Sequence, residues 1–211
     1  MPEYRQYRTN YYLLFLLSII GLPLCYQTIQ KNYSGLDVRI YYLLEAWRNS
    51  FWDFVFTSVY RITGTYITGT VVLLALIALI SRRYWSEVKA LIFATLGILL
   101  LVDEVLKPLF DRSRPFKPRL VSDLSPDSFP SGHAAGNLVF YFYMSFIIAA
   151  KYPQLARYAY GLSTILVLTI GFSSVYVKAH WATDILAGYI FGYFWLSISL
   201  GLLKFLTRKR K

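Results

Sequence analysis

Charge is scarce in this chain. Only 16% of its 211 residues are Asp, Glu, Lys or Arg, where a water-soluble domain carries about a quarter. With 56% hydrophobic residues, that shortage excludes an ordinary soluble domain and points to an integral membrane protein. Acid is scarcer still, with 11 carboxylates against 22 basic residues and a formal net charge of +11. Such a balance is compatible with nucleic-acid binding. The placement argues against it, because the cations sit in short segments between apolar runs and in the tail from Lys204 to Lys211, as in loops that face anionic lipid. Cysteine is represented by Cys25 alone, which excludes an internal disulfide and a Cys-rich metal site. No small-x-small cleavage pattern follows the first apolar run, where Leu22 to Tyr26 stand, so that run is expected to be a retained span. Internal repeats and low-complexity stretches are not evident.

What the chain has instead is long apolar runs. A hydrocarbon core needs about 20 residues of helix, and six segments qualify. They run near Tyr11 to Ile29, Ile62 to Ile80, Val88 to Leu109, His133 to Ala150, Tyr158 to Val177 and Trp181 to Leu206. Between the first two, Leu36, Ile40, Leu43, Leu44 and Trp47 recur at helical spacing with Arg39 and Arg48 among them, which predicts an amphipathic helix that lies on the membrane surface or caps the bundle from outside. The expected fold is therefore all-α, a six-transmembrane helix bundle of one domain over residues 1–211. Arg5, Arg8, Arg82, Arg83, Lys89, Lys151, Arg157, Lys204, Arg208, Lys209, Arg210 and Lys211, twelve of the 22 basic residues, fall on one side. That side, with both termini, is expected to be cytoplasmic. Tyr11, Tyr12, Trp52, Tyr60, Trp85 and Trp181 lie near span ends and fit an interfacial aromatic belt.

The opposite side carries Lys107, Arg112, Arg114, Lys117 and Arg119 against the positive-inside bias, and a bound anion explains cations placed so. Phosphate-ester chemistry needs cations and N–H donors on the non-bridging oxygens, a nucleophile, and an acid for the departing oxygen. Lys107 ends the third run, and Arg114 precedes Pro115, a position biased toward extended backbone. The pair can converge on a phosphate or simply snorkel to the interface. Pro130-Ser131-Gly132-His133 opens the fourth run, where a helix start presents free N–H groups to an anion; by itself it also reads as a capping stretch. His180 and Asp184 are four apart and share a helix face. The carboxylate can accept one imidazole N–H and leave the other nitrogen as nucleophile, or the two can form an inconsequential surface pair. Both of the chain's histidines begin runs on the same side, and this favours a site. Asp103, four before Lys107, is expected to neutralise or position it.

These three stretches resemble the type 2 phosphatidic acid phosphatase superfamily, whose pattern is Lys-x6-Arg-Pro, then Pro-Ser-Gly-His, then Ser-Arg-x5-His-x3-Asp. Lys107 to Pro115 and Pro130 to His133 match fully, and Ser173, His180 and Asp184 match the third part. The resemblance implies that His180 is the nucleophile, that Asp184 orients it, and that His133 protonates the leaving alcohol and then activates water. It implies that Lys107, Arg114, Ser131 and the Gly132 N–H hold the phosphate, with no metal and no cofactor. One departure stands out: Ser174 occupies the family's second arginine position. A donor of that kind is worth about 3 kcal/mol at the transition state. Lys178, Arg112, Arg119 and Arg61 are the candidate replacements. The expected function is hydrolysis of a lipid phosphate, of the phosphatidic acid, phosphatidylglycerol phosphate or undecaprenyl pyrophosphate type, at the outer face of the cell membrane. Alternatives are a lipid phosphotransferase, or a lipid-phosphate binding or transport protein weakened by Ser174.

Overall fold

The computed structural model describes residues 10–30, 34–122 and 124–208. Over these the chain is helical. In order come α1 (Tyr11–Ile29), α2 (Gly35–Ala46), α3 (Ser50–Ile62), α4 (Thr65–Ser81), α5 (Trp85–Leu100), α6 (Lys107–Phe110), α7 (Gly132–Lys151), α8 (Ala156–Tyr176) and α9 (Ala182–Arg208). A π-helical stretch, Leu101–Leu106, joins α5 to α6. Extended pairing among the described residues is limited to one isolated bridge between Ser113 and Asp127. The basic residues Arg5, Arg8, Lys209, Arg210 and Lys211 lie outside the described residues.

Helix starts follow from local chemistry. Asn10, Ser34, Asn49 and Ser131 each accept a hydrogen bond from a backbone N–H of the first turn they precede, satisfying a donor that the helix itself leaves unpaired. The core lies between α5, α7 and α9, where Ala94, Ile98, Ala135, Val139, Tyr143 and Leu203 are fully buried. Outward faces are apolar as well. Phe15 and Ile19 on α1, Leu73 and Leu74 on α4, and Leu162 and Ile165 on α8 are all exposed, as lipid-facing side chains must be.

Six spans were expected. Among the described residues, four stretches are long and apolar enough to cross a membrane, namely α1, α7, Pro153–Tyr176 and α9, and the pair α3 and α4, bent by 45°, makes a fifth if it counts as one span. The expected third run falls short because α5 ends at Leu100 and the backbone widens into the π-helical stretch carrying Asp103 and Glu104. The helix expected over Leu36 to Trp47 is present as α2, and a second helix, α3, follows it before α4. Arg39 is exposed, but other charges of this segment are held internally. Asp37 is 1% exposed, and Arg48 pairs with Asp53 at 2.9 Å.

The mouth of the bundle is set by a close crossing of α7 and α9. A Cβ at Gly188 would stand 2.7 Å from the Ser131 carbonyl oxygen and 2.9 Å from Ala134 Cβ, neither of which is the end of a flexible side chain. Gly188→Ala is therefore expected to destabilise the protein by about 1–3 kcal/mol through overpacking, read as a lower unfolding midpoint in detergent. Gly201→Ala, on the same helix with nothing within 4 Å, should leave the midpoint unchanged.

Candidate active site at the helix mouths

The site grows from a turn at the end of α6. Asp111 adopts the left-handed conformation, φ 44°, and its N–H donates to Lys107 O at 2.9 Å. The chain then leaves the helix extended, so that Arg112 and Arg114, two apart, share a face. Ser113 bridges Asp127. The backbone N–H of Ser128 donates to Arg112 O at 2.8 Å, and its hydroxyl to Ser113 O at 3.1 Å. Trp181 Nε1 also donates to Ser113 O, at 3.0 Å. Residues 112–114, 127–131 and 178–184 thus form one interlocked layer over the bundle, to which Ser131 N adds a bond to Asp184 O at 3.1 Å.

His180 is held within this layer. It is 3% exposed, and its Nδ1 lies 2.8 Å from the Ser128 carbonyl oxygen. A carbonyl only accepts, so Nδ1 carries the proton and Nε2 presents a lone pair. Nε2 is 3.5 Å from Arg114 Nη1. Burial above all, with Arg114 and Lys107 nearby, pushes the His180 pKa well below 6.5, so the ring is neutral.

The expected partnership of His180 with Asp184 is different in the structure. Asp184 Oδ2 stands 3.6 Å from Nδ1, too far for a hydrogen bond, and instead accepts from Trp181 N at 2.8 Å. Its Oδ1 is paired with Arg112. Ser128 therefore orients the imidazole directly, while Asp184 fixes the turn that carries it.

The remaining expected residues gather around His180. Lys107 Nζ pairs with Asp103 at 2.5 Å, as expected, and lies 3.4 Å from Ser125 Oγ. Arg114 donates through Nε to Ser125 O at 2.5 Å, through Nη2 to Ser125 Oγ at 2.9 Å, and through Nη1 to Ala179 O at 2.5 Å. Burial draws its pKa below the ordinary guanidinium range, opposed by Tyr60 and Asp184. Ser131 Oγ accepts from Ala134 N at 3.3 Å, leaving its own proton available. Gly132 begins α7 close to Asp103, whose Oδ1 would be 3.8 Å from an added Cβ. His133 stacks on Tyr60, with centroids 4.6 Å apart and planes at 14°. Its Nε2 is buried without a hydrogen-bond partner. The two imidazoles, Lys107 and Arg114 lie within Coulombic range of one another.

Three of the four candidate replacements for the missing arginine are held elsewhere, and the fourth, Arg61, is exposed. Ser174 is fully buried and donates to Ile170 O of its own helix at 2.9 Å. Arg112 is locked between Asp37 and Asp184. Lys178, left-handed at φ 61°, pairs with Glu45 at 2.5 Å and donates to the Tyr41 hydroxyl at 3.1 Å. Arg119 Nε donates to Pro115 O at 2.9 Å. Tyr60 and Trp181, expected in an interfacial belt, are buried at 8% and 1% exposure and belong to the site.

A model of the PAP2 superfamily matches residues 87–208. The chain belongs to the PAP2 superfamily. Phosphatidylglycerophosphatase B of Bacillus subtilis (strain 168) is 30% identical to it over 154 residues, 69% of this chain and 70% of that protein. The fold is shared with the crystal structure of a transmembrane PAP2-type phosphatidylglycerolphosphate phosphatase from Bacillus subtilis. That structure has a TM-score of 0.72 and 23% identity, over 93% of this chain and 94% of the other. The PAP2 match begins at Glu87, so Asp37, Glu45 and Tyr60, which close the site from α2 and α3, lie outside it. They carried no motif, and Ser128 acts through its backbone. An aspartate in an otherwise apolar helix face was the one available signal.

His180 makes stability depend on pH in a defined direction. Its pKa is lowered in the folded state, so the unfolded chain binds a proton near pH 6.5 that the folded chain does not. The stabilisation is present above that pH and is lost as pH falls below it. The gap in unfolding midpoint between the wild type and His180→Gln should narrow from pH 7.5 to pH 5.

Proposed function

We propose that this PAP2 protein is a lipid phosphate phosphatase that works through a phosphohistidine at His180. The observation that carries the reading is the pair of ring nitrogens, one at the outer limit of a hydrogen bond to Arg114 and the other without a partner. His180 Nε2 bears a lone pair beside Arg114, at 3.5 Å, and His133 Nε2 is buried without a partner. Nε2 of His180 attacks phosphorus, the bond to the ester oxygen breaks, and His133 delivers a proton to the departing alkoxide. Water, giving its proton back to His133, then cleaves the P–N bond and releases phosphate. Lys107, Arg114, the Ser131 hydroxyl and the Gly132 N–H receive the non-bridging oxygens, as preorganised donors do where charge develops.

The residues supply cations and donors enough for metal-independent turnover. In the membrane, the bent pair α3 and α4 and the rod from Trp85 to Phe110 serve as the second and third of six crossings of a single domain. The termini then lie on the cytoplasmic side and the site on the other. The named relatives make phosphatidylglycerol phosphate the first substrate to test, ahead of phosphatidic acid and undecaprenyl pyrophosphate.

A second reading rests on Ser174. With Arg112, Lys178 and Arg119 all engaged, one phosphate donor is missing, and the reading is slow turnover or binding without turnover. Saturable vanadate binding with no phosphate release from any of the three lipids would favour it.

Purified protein should release phosphate from phosphatidylglycerol phosphate equally well with and without chelator, and His180→Ala should abolish release. His133→Ala should slow lipid-ester hydrolysis by about 10²–10⁴-fold. It should slow 4-nitrophenyl phosphate much less, because that leaving oxygen needs no proton. Undiminished release by His180→Ala would refute the nucleophile assignment.

A further inference from the structure

Asp37 is a buried carboxylate on α2, outside the PAP2 match, with no part in the chemistry above. It is 1% exposed, and both its oxygens are used. Oδ1 accepts from Thr183 N at 2.9 Å. Oδ2 accepts from Thr183 Oγ1 at 2.7 Å and from Arg112 Nη2 at 2.7 Å. The same guanidinium turns its other nitrogen to Thr183 Oγ1 at 2.8 Å and to Asp184 Oδ1. Arg112 is thus shared between two acids that come from opposite ends of the chain, and Thr183 is held by Asp37 and Arg112 together.

Thr183 and Asp184 form the first turn of α9. Asp184 Oδ2 holds Trp181 N at 2.8 Å, one residue after His180. A carboxylate at a helix N-terminus that accepts two donors of that turn fixes its position as an N-cap does. Asp37 does this from another helix, and it also sets the direction of the Arg112 side chain.

The geometry points to Asp37 as a positioning residue for His180. Resting on the phosphatase reading above, the inference is that Asp37, through Arg112 and Thr183, holds the turn 181–184 at the spacing that keeps His180 Nδ1 on the Ser128 carbonyl. It touches neither the reacting phosphorus nor the lipid. Its loss lets the imidazole turn, so chemistry slows while the phosphate donors Lys107 and Arg114 still bind. A misplacement of about 1 Å costs about 10²-fold in rate.

The test compares full-length wild type, Asp37→Asn, Asp37→Glu and Thr183→Val in detergent, with folded fraction measured for each. Asp37→Asn removes the charge and sets an amide donor against Arg112; Thr183→Val keeps every charge and removes one hydroxyl link, so it remains informative if Asp37→Asn does not fold. The expected result is kcat lower by about 10²-fold in Asp37→Asn, less in Thr183→Val, partly rescued in Asp37→Glu, with KM within twofold of wild type throughout. Wild-type kcat in Asp37→Asn and Thr183→Val, a loss that tracks only the folded fraction, or a rise in KM at constant kcat, would overturn the assignment. A wild type that turns over no lipid phosphate sinks the phosphatase reading and leaves Asp37 to be judged by orthovanadate affinity. Vanadate bonds to the oriented imidazole, so tenfold or weaker binding in Asp37→Asn supports the positioning role and unchanged binding refutes it.

Discussion

The contact on which the site depends is the 2.8 Å bond from His180 Nδ1 to the Ser128 carbonyl. A carbonyl oxygen has no proton to give, so the bond selects a single tautomer without reference to any assigned hydrogen. It also sets the ring plane. Burial removes the alternative of a protonated ring, because a charged imidazole beside Arg114 and Lys107 would cost more than the site returns. A neutral, oriented imidazole beside a fixed cation is the arrangement a phosphorus nucleophile requires.

Holding that carbonyl in place is the work of the layer over the bundle. Ser128 is tied by its N–H and its hydroxyl to residues 112 and 113, and Arg112 is tied in turn to Asp37 and Asp184. Buried ion pairs of this kind add little net stability, yet removing one partner is costly because the other charge is left uncompensated. Their value here is geometric. The layer is made from three loops that have no regular pairing beyond one bridge, and charged anchors give it the definition that a helix or sheet would supply. Beneath it, the glycine at 188 lets α7 and α9 come close enough for the two histidine-bearing mouths to meet.

Residue types and spacings in the sequence point to the parts of the candidate site that lie at helix mouths. Lys107, Arg114, Ser131, His133 and His180 could be named because each is a chemically specific side chain beside an apolar run. Asp184 sits differently from the expectation that it accepts the imidazole N–H directly. Spacing of four places it on the face of His180, but spacing does not reveal that Arg112 and the Trp181 amide compete for its oxygens. Ser128 was hidden because it acts through its backbone and meets His180 across 52 residues. Asp37 reaches Thr183 across 146, and no local pattern encodes such a contact. The fold class was readable from hydropathy. Hydropathy does not register the π-helical stretch after Leu100 or the bend between α3 and α4, so it gives six runs where the described residues hold four apolar spans and one bent pair.

The most direct measurement is the position of the phosphoryl group in protein quenched during turnover, read by tandem mass spectrometry and ³¹P NMR of the denatured chain. The account predicts one acid-labile phosphate on Nε2 of His180. Phosphate on His133, on Nδ1 of His180, or on no residue while turnover proceeds would contradict it.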